Sequence, residues 1–227
     1  MNMNKGFTLV ELLIALFVGA LMMTAVYGIV NMAQKSSSGI ERRVISQKDV
    51  RGALDLMALE LRMASYNPQP ELTSIWANAR CTGTAVLQNK GIQDASSTSI
   101  TIAMDADDSG AIEKDATNLA HPNEIITYTH SGNTITRAVN CAAPPAEPFI
   151  GGTIVRIVND PNTVPVFRYY NFNNNRINPI TSADIPNIRA IEITLVAETE
   201  HNDPMTKAKR RIVYSTRVIP RNHGANP

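Results

Sequence analysis

Phe7-Thr8-Leu9-Val10-Glu11-Leu12-Leu13-Ile14 opens a run that continues to Val30 as ALFVGALMMTAVYGIV, and Glu11 is its only charged residue. A helix needs about 20 apolar residues to cross the hydrocarbon core of a bilayer, so this stretch is long enough to span. It exceeds the roughly 7–15 apolar residues of a secretory signal, and no small-x-small cleavage site closes it. A plain signal anchor fits the length but leaves Glu11 without a purpose. An acidic residue in mid-membrane costs roughly 2.5–3.5 kcal/mol and tends to mark function. Glu11 lies near one end of the span, where the cost is smaller.

Outward from this segment the chain changes character. It has 227 residues, 44% hydrophobic and 18% charged, a balance that suits one globular body with an attached tether. The net charge of +1 favours neither nucleic acid nor acidic membranes as partners. Past Val30 a helical period persists: Val50, Leu54, Met57, Leu61 and Ala64 share one face. Lys48, Asp49, Arg51, Asp55, Glu60 and Arg62 lie between them. The helix is expected to stop at Tyr66-Asn67-Pro68, because Pro disfavours helical geometry in the residue before it. Ser36-Ser37-Ser38-Gly39 is the soft spot. If it stays helical, Phe7 to Tyr66 is one rod of roughly 90 Å.

Lys5-Gly6-Phe7-Thr8-Leu9-Val10-Glu11 resembles the processing signal of type IV pilins and pseudopilins. The resemblance implies a leader of residues 1–6, cleavage between Gly6 and Phe7 by a prepilin peptidase, methylation of the Phe7 amino group, and Glu11 retained for assembly. It also implies a division into an assembly half at 7–30, an amphipathic half at 31–66, and a β-rich head at 67–227. The expected partners are other minor and major pilins, the bacterial inner membrane and the pilus assembly platform. The chain is then anchored once in the inner membrane before it moves to a periplasmic or surface filament. Positive residues flank both ends of the span, so the cytoplasmic placement of the N-terminus rests on the resemblance. Many major pilins carry a kinking Pro where this chain has Gly28, and the large head suits a low-copy subunit. The chain is most similar to minor pilins of the PilW type, in filament initiation or at the tip. A J-type pseudopilin of type II secretion is the alternative in the same system. From another class, the alternative is a membrane-anchored calcium-dependent adhesin or DNA-binding receptor.

The body reads as strands: Ser99–Met104, Ile125–Thr129, Thr134–Val139, Thr153–Val158, Val164–Phe172, Ile191–Ala197 and Ile212–Val218. His130-Ser131-Gly132-Asn133 is a hairpin turn, and His201-Asn202-Asp203-Pro204-Met205 a hairpin loop. The expected fold is α+β, with one antiparallel sheet wrapped on a long helix. Asn171 to Asn175, with Phe172 among them, reads as a surface turn.

Cys81 and Cys141 can pair in an oxidising compartment, and the bridge would stabilise by roughly 4 kcal/mol in the loop-entropy model. Two free thiols are the alternative. Asp105-Ala106-Asp107-Asp108-Ser109-Gly110-Ala111-Ile112-Glu113 resembles the first part of a calcium loop, with Asp105, Asp107, Ser109 and Glu113 as the candidate ligands. Ala116 stands where a bidentate Glu would close the shell, and a solvated acidic loop is the simpler reading. The basic run Lys207-Ala208-Lys209-Arg210-Arg211 reads as a solvated loop or a charge-guarded edge strand, so no nucleic-acid partner is expected. The histidines at 121, 130, 201 and 223 show neither metal spacing nor a nucleophile elbow. With no phosphate-binding glycine loop either, the sequence offers no enzyme chemistry.

Overall fold

A computed structural model describes residues 6–115, 123–142, 147–152, 155–199, 202 and 207–224. The leader residues 1–5, Ala116, His121, Thr153, His201 and positions 203–205 of the expected hairpin loop lie outside them. One continuous helix, α1, runs from Leu9 to Met63, about 82 Å at 1.5 Å per residue. It passes unbroken through Gly28 and through Ser36–Gly39, where the Ser38 hydroxyl donates to the Lys35 carbonyl (3.1 Å). The Thr24 hydroxyl likewise donates to the Ala20 carbonyl (2.6 Å), which satisfies a polar side chain inside an apolar stretch. Leu9–Glu41 is long and apolar enough to cross a membrane, and the head covers none of its most apolar stretch.

The helix ends three residues before the expected stop. Ser65 adopts φ 65°, turns the chain, and donates its N–H to the Ala103 carbonyl (2.9 Å). Tyr66 already belongs to the turn, and its carbonyl accepts the Asp105 N–H (2.9 Å).

The head contains two antiparallel sheets rather than the one expected. The first is a meander of β1 (Ile92–Ala95), β2 (Ser99–Ala103), β3 (Ile125–Ser131), β4 (Thr134–Val139) and β5 (Glu147–Gly151). The second comprises β6 (Val155–Ile157), β7 (Phe167–Tyr170), β8 (Arg176–Ile177), β9 (Ala190–Thr199) and β10 (Arg211–Val218), in the order β10-β9-β7-β8 with β6 also on β9. Gly132 (φ 60°) and Asn133 form the two-residue turn between β3 and β4. Between β6 and β7, Asn159 supplies the missing ladder bonds. Its Nδ2 donates to the Val164 and Thr194 carbonyls (3.0 and 2.8 Å), and its Oδ1 accepts the Val196 N–H (2.9 Å).

Val50, Leu54, Met57, Leu61 and Ala64 are all buried, in one core with Ile100, Tyr128, Ile193 and Leu195. The helix packs on β5, β9 and β10. Each large apolar side chain removed from water there contributes roughly 2 kcal/mol. Cys81 and Cys141 are joined in a disulfide (Cα–Cα 5.2 Å) that ties the segment after Trp76 to the end of β4. β10 is the edge of its sheet, and Lys209 and Arg211 at its start pair with Glu198 (3.9 and 2.7 Å).

The C-terminal tail is stapled to the end of α1. Arg221 donates its N–H to the Arg62 carbonyl (3.3 Å). His223 is buried: its Nε2 lies 2.8 Å from the Ile185 carbonyl, which can only accept, so Nε2 carries the proton. Nδ1 therefore accepts from the Ser65 hydroxyl (2.9 Å), whose oxygen takes the Gly91 N–H (3.0 Å). Gly91 is obligatory in this contact, since a Cβ would come within 2.2 Å of the Ala103 carbonyl oxygen.

Burial lowers the His223 pKa to about 4, with nearby Lys90 acting in the same direction. The unfolded chain takes up this proton near pH 6.5 and the folded one near pH 4, so stability falls as pH drops through that window. The shift corresponds to about 3 kcal/mol. Head unfolding followed from pH 7 to 4 is expected to show this loss, and His223→Gln is expected to flatten the curve. An unchanged slope in the variant would overturn the assignment.

Candidate functional site

The N-terminal site follows from local chemistry. Gly6 and Phe7 precede the helix in open chain, and Phe7 is 90% exposed, so the bond between them is accessible. Thr8 is the N-cap. Its hydroxyl accepts the Glu11 N–H (3.3 Å), while the Thr8 N–H and hydroxyl both donate to Glu11 Oε2 (3.0 Å each). This capping box satisfies donors that a helix start otherwise leaves bare, and it places a carboxylate at the positive end of the macrodipole. Oε1 of Glu11 takes no hydrogen bond among the described residues. Thr8 stands beyond the residues expected of this site, although its Thr-x-x-Glu spacing carries the signal.

The acidic loop gathers a different set from the one expected. Asp105 and Glu124 are both fully buried, and with Asp107 they bring carboxylate oxygens within 4.8 Å of one another. Asp105 accepts N–H bonds from Ser109 (3.1 Å) and Gly110 (3.0 Å), and Glu124 accepts them from Ala106 (2.9 Å) and Glu113 (2.7 Å). Glu113 thus joins the group through its backbone, and Ser109 Oγ turns to Ala111 (3.4 Å). The third carboxylate is Glu124, which lies beyond the loop and carries no motif spacing. Desolvation pushes its pKa up, and the charges of Asp107 and Asp105 push the same way. An oxygen-only carboxylate set of this kind fits a hard cation such as calcium.

A third cluster locks the helix to the first sheet. Arg137 forms a fork on Glu60, Nη2 to Oε1 at 2.7 Å and Nε to Oε2 at 3.3 Å, and the Tyr128 hydroxyl donates to Oε2. Burial and the neighbouring Glu60 charge hold Tyr128 well above the usual phenol range, so it stays a donor.

The geometry is thus a membrane-length helix that begins at a Gly–Phe junction, carries one carboxylate in its first turn and continues as the spine of an antiparallel β head. Residues 1–27 match the family model of the prokaryotic N-terminal methylation motif. No curated protein matches the chain. Among solved structures, a type IV-like pilin from Thermus thermophilus is 12% identical, with 78% of this chain and 97% of that one covered and a TM-score of 0.42.

Proposed function

We propose that the chain is a minor type IV pilin that acts in filament initiation or at the tip. It enters the inner membrane with its N-terminus in the cytoplasm, is cut after Gly6, is methylated on the Phe7 amino group, and then joins other pilins through the assembly platform. The observation that carries this reading is the Thr8–Glu11 cap at the start of an apolar half-helix that the head leaves uncovered. The cap holds one carboxylate oxygen of Glu11 and leaves the other to a cationic partner. The amino terminus of a neighbouring subunit has the right charge and sits at the same depth in a bundle of parallel helices. Mass spectrometry of the chain recovered from its host's membranes tests the reading. The expected N-terminus is Phe7 with one added methyl group, and an intact Met1 overturns it. The terminal position is tested by immunogold labelling: label confined to filament ends supports it, and label along the shaft contradicts it.

The calcium expectation passes in altered form to Asp105, Asp107 and Glu124. A divalent cation there would offset the desolvation that raises Glu124 and the smaller repulsion from Asp107 and Asp105. Calorimetry on the full chain in detergent is expected to show binding at roughly millimolar calcium, as in extracellular modules, with loss in Glu124→Gln and Asp107→Asn. A flat titration of the parent chain removes the site.

A further inference from the structure

The Asn-rich turn between β7 and β8 is organised around one side chain. Asn171 Oδ1 accepts the N–H groups of Asn173 (3.0 Å) and Asn175 (2.9 Å), and the Asn171 carbonyl accepts that of Asn174 (3.0 Å). Asn174 adopts φ 61°, and its Oδ1 accepts a hydrogen bond from Arg217. This clamp displays the ring of Phe172, which is 57% exposed. The Arg189 guanidinium lies 5.6 Å from the ring centroid, and Gly224 runs along the rim so closely that a Cβ there would come within 3.1 Å of it. An exposed aromatic is thus held in place before any partner arrives.

Two open hollows share Phe172 and Asn187. One, of about 250 Å³, is bordered by Asn173 and Asp184; the other, of about 460 Å³, by Gln88 and Lys90. The side-chain amides of Asn173, Asn187 and Gln88 make no hydrogen bond among the described residues. A primary amide presents two donors and an acceptor at fixed geometry, which matches neighbouring hydroxyls that each donate and accept. An exposed aromatic face takes an apolar C–H surface. Lys90 and Asp184 border the hollows and Arg189 lies by the Phe172 ring, so cations and a carboxylate are mixed there and no single-sign field marks the site for a charged ligand. A protein partner would need about 800 Å² of interface per side with an apolar centre, and one ring edged by amides does not supply that.

We propose that Phe172, with the amides of Asn173, Asn187 and Gln88, forms a binding site for a neutral saccharide of one or two rings. The rings lie across Phe172, and the amides read their hydroxyls on either side.

The test uses the full chain in a detergent without a sugar headgroup, titrated with lactose, maltose and N,N′-diacetylchitobiose. Saturable binding of at least one, with a dissociation constant in the millimolar range, is expected from calorimetry and from shifts of side-chain amide resonances. Phe172→Ala is expected to weaken it about ten-fold and Phe172→Tyr to preserve it. Asn187→Ala, at an exposed position, provides a second arm should Phe172→Ala disturb the turn. No saturation by any of the three up to about 50 mM overturns the proposal, as does binding that both alanine variants leave intact.

Discussion

Glu11→Val is expected to leave the chain inserted in the membrane and to lower its incorporation into filaments by at least about thirty-fold. Truncating one partner of a buried, hydrogen-bonded charge pair costs roughly 2–5 kcal/mol, and 1.4 kcal/mol is ten-fold. The variant also exposes the Thr8 N–H and hydroxyl that Glu11 now accepts. Two further substitutions separate the pairing from the cap. Thr8→Ala removes the cap hydroxyl, costs about 1 kcal/mol of helix stability, and is expected to assemble nearly normally. Glu11→Gln keeps an acceptor for Thr8 but loses the charge, and it is expected to fail as the valine variant does. Wild-type levels of Glu11→Gln in purified filaments would sink the ion-pair role.

Glu60→Leu is expected to destabilise the head by roughly 3–5 kcal/mol, because it leaves the largely buried Arg137 guanidinium without its carboxylate. At that size the melting midpoint of the full chain in detergent falls by about 10 °C. The double variant Glu60→Leu with Arg137→Leu is expected to recover most of the loss, since the uncompensated charge is then gone. Additive losses in the double variant would show that the two groups do not act as a pair. The fork joins the spine helix to the first sheet, alongside the apolar packing of the same helix on β5, β9 and β10.

The spine was legible because its stripe repeats at helical spacing, and Val50, Leu54, Met57, Leu61 and Ala64 all enter the core. Glu60 sits on the same helix among Asp55 and Arg62, and nothing in that local pattern distinguishes it from them. Its partners lie 68 and 77 residues away in the chain. Glu124 is hidden in the same manner, separated from the loop it completes by residues that carry no spacing rule. The division into two sheets was also illegible. β1, β5 and β8 are short, and β5 contains Pro148 and Gly151, so each strand exists through its pairing rather than its own propensity. His223 looked inert beside the other histidines. Its placement depends on Ser65, Gly91 and Ile185, from three separate parts of the chain.

By itself the sequence determined the N-terminal machinery: a membrane-length helix, a Gly6–Phe7 junction and a carboxylate in the first helical turn. Each is set by neighbours within a few residues, through hydropathy, capping and the helix dipole. Tertiary structure alone decided which charges are buried and paired, how Phe172 is held, and where the second sheet meets the helix. Those outcomes depend on contacts between distant segments, whose energies exist only once the chain has closed around them.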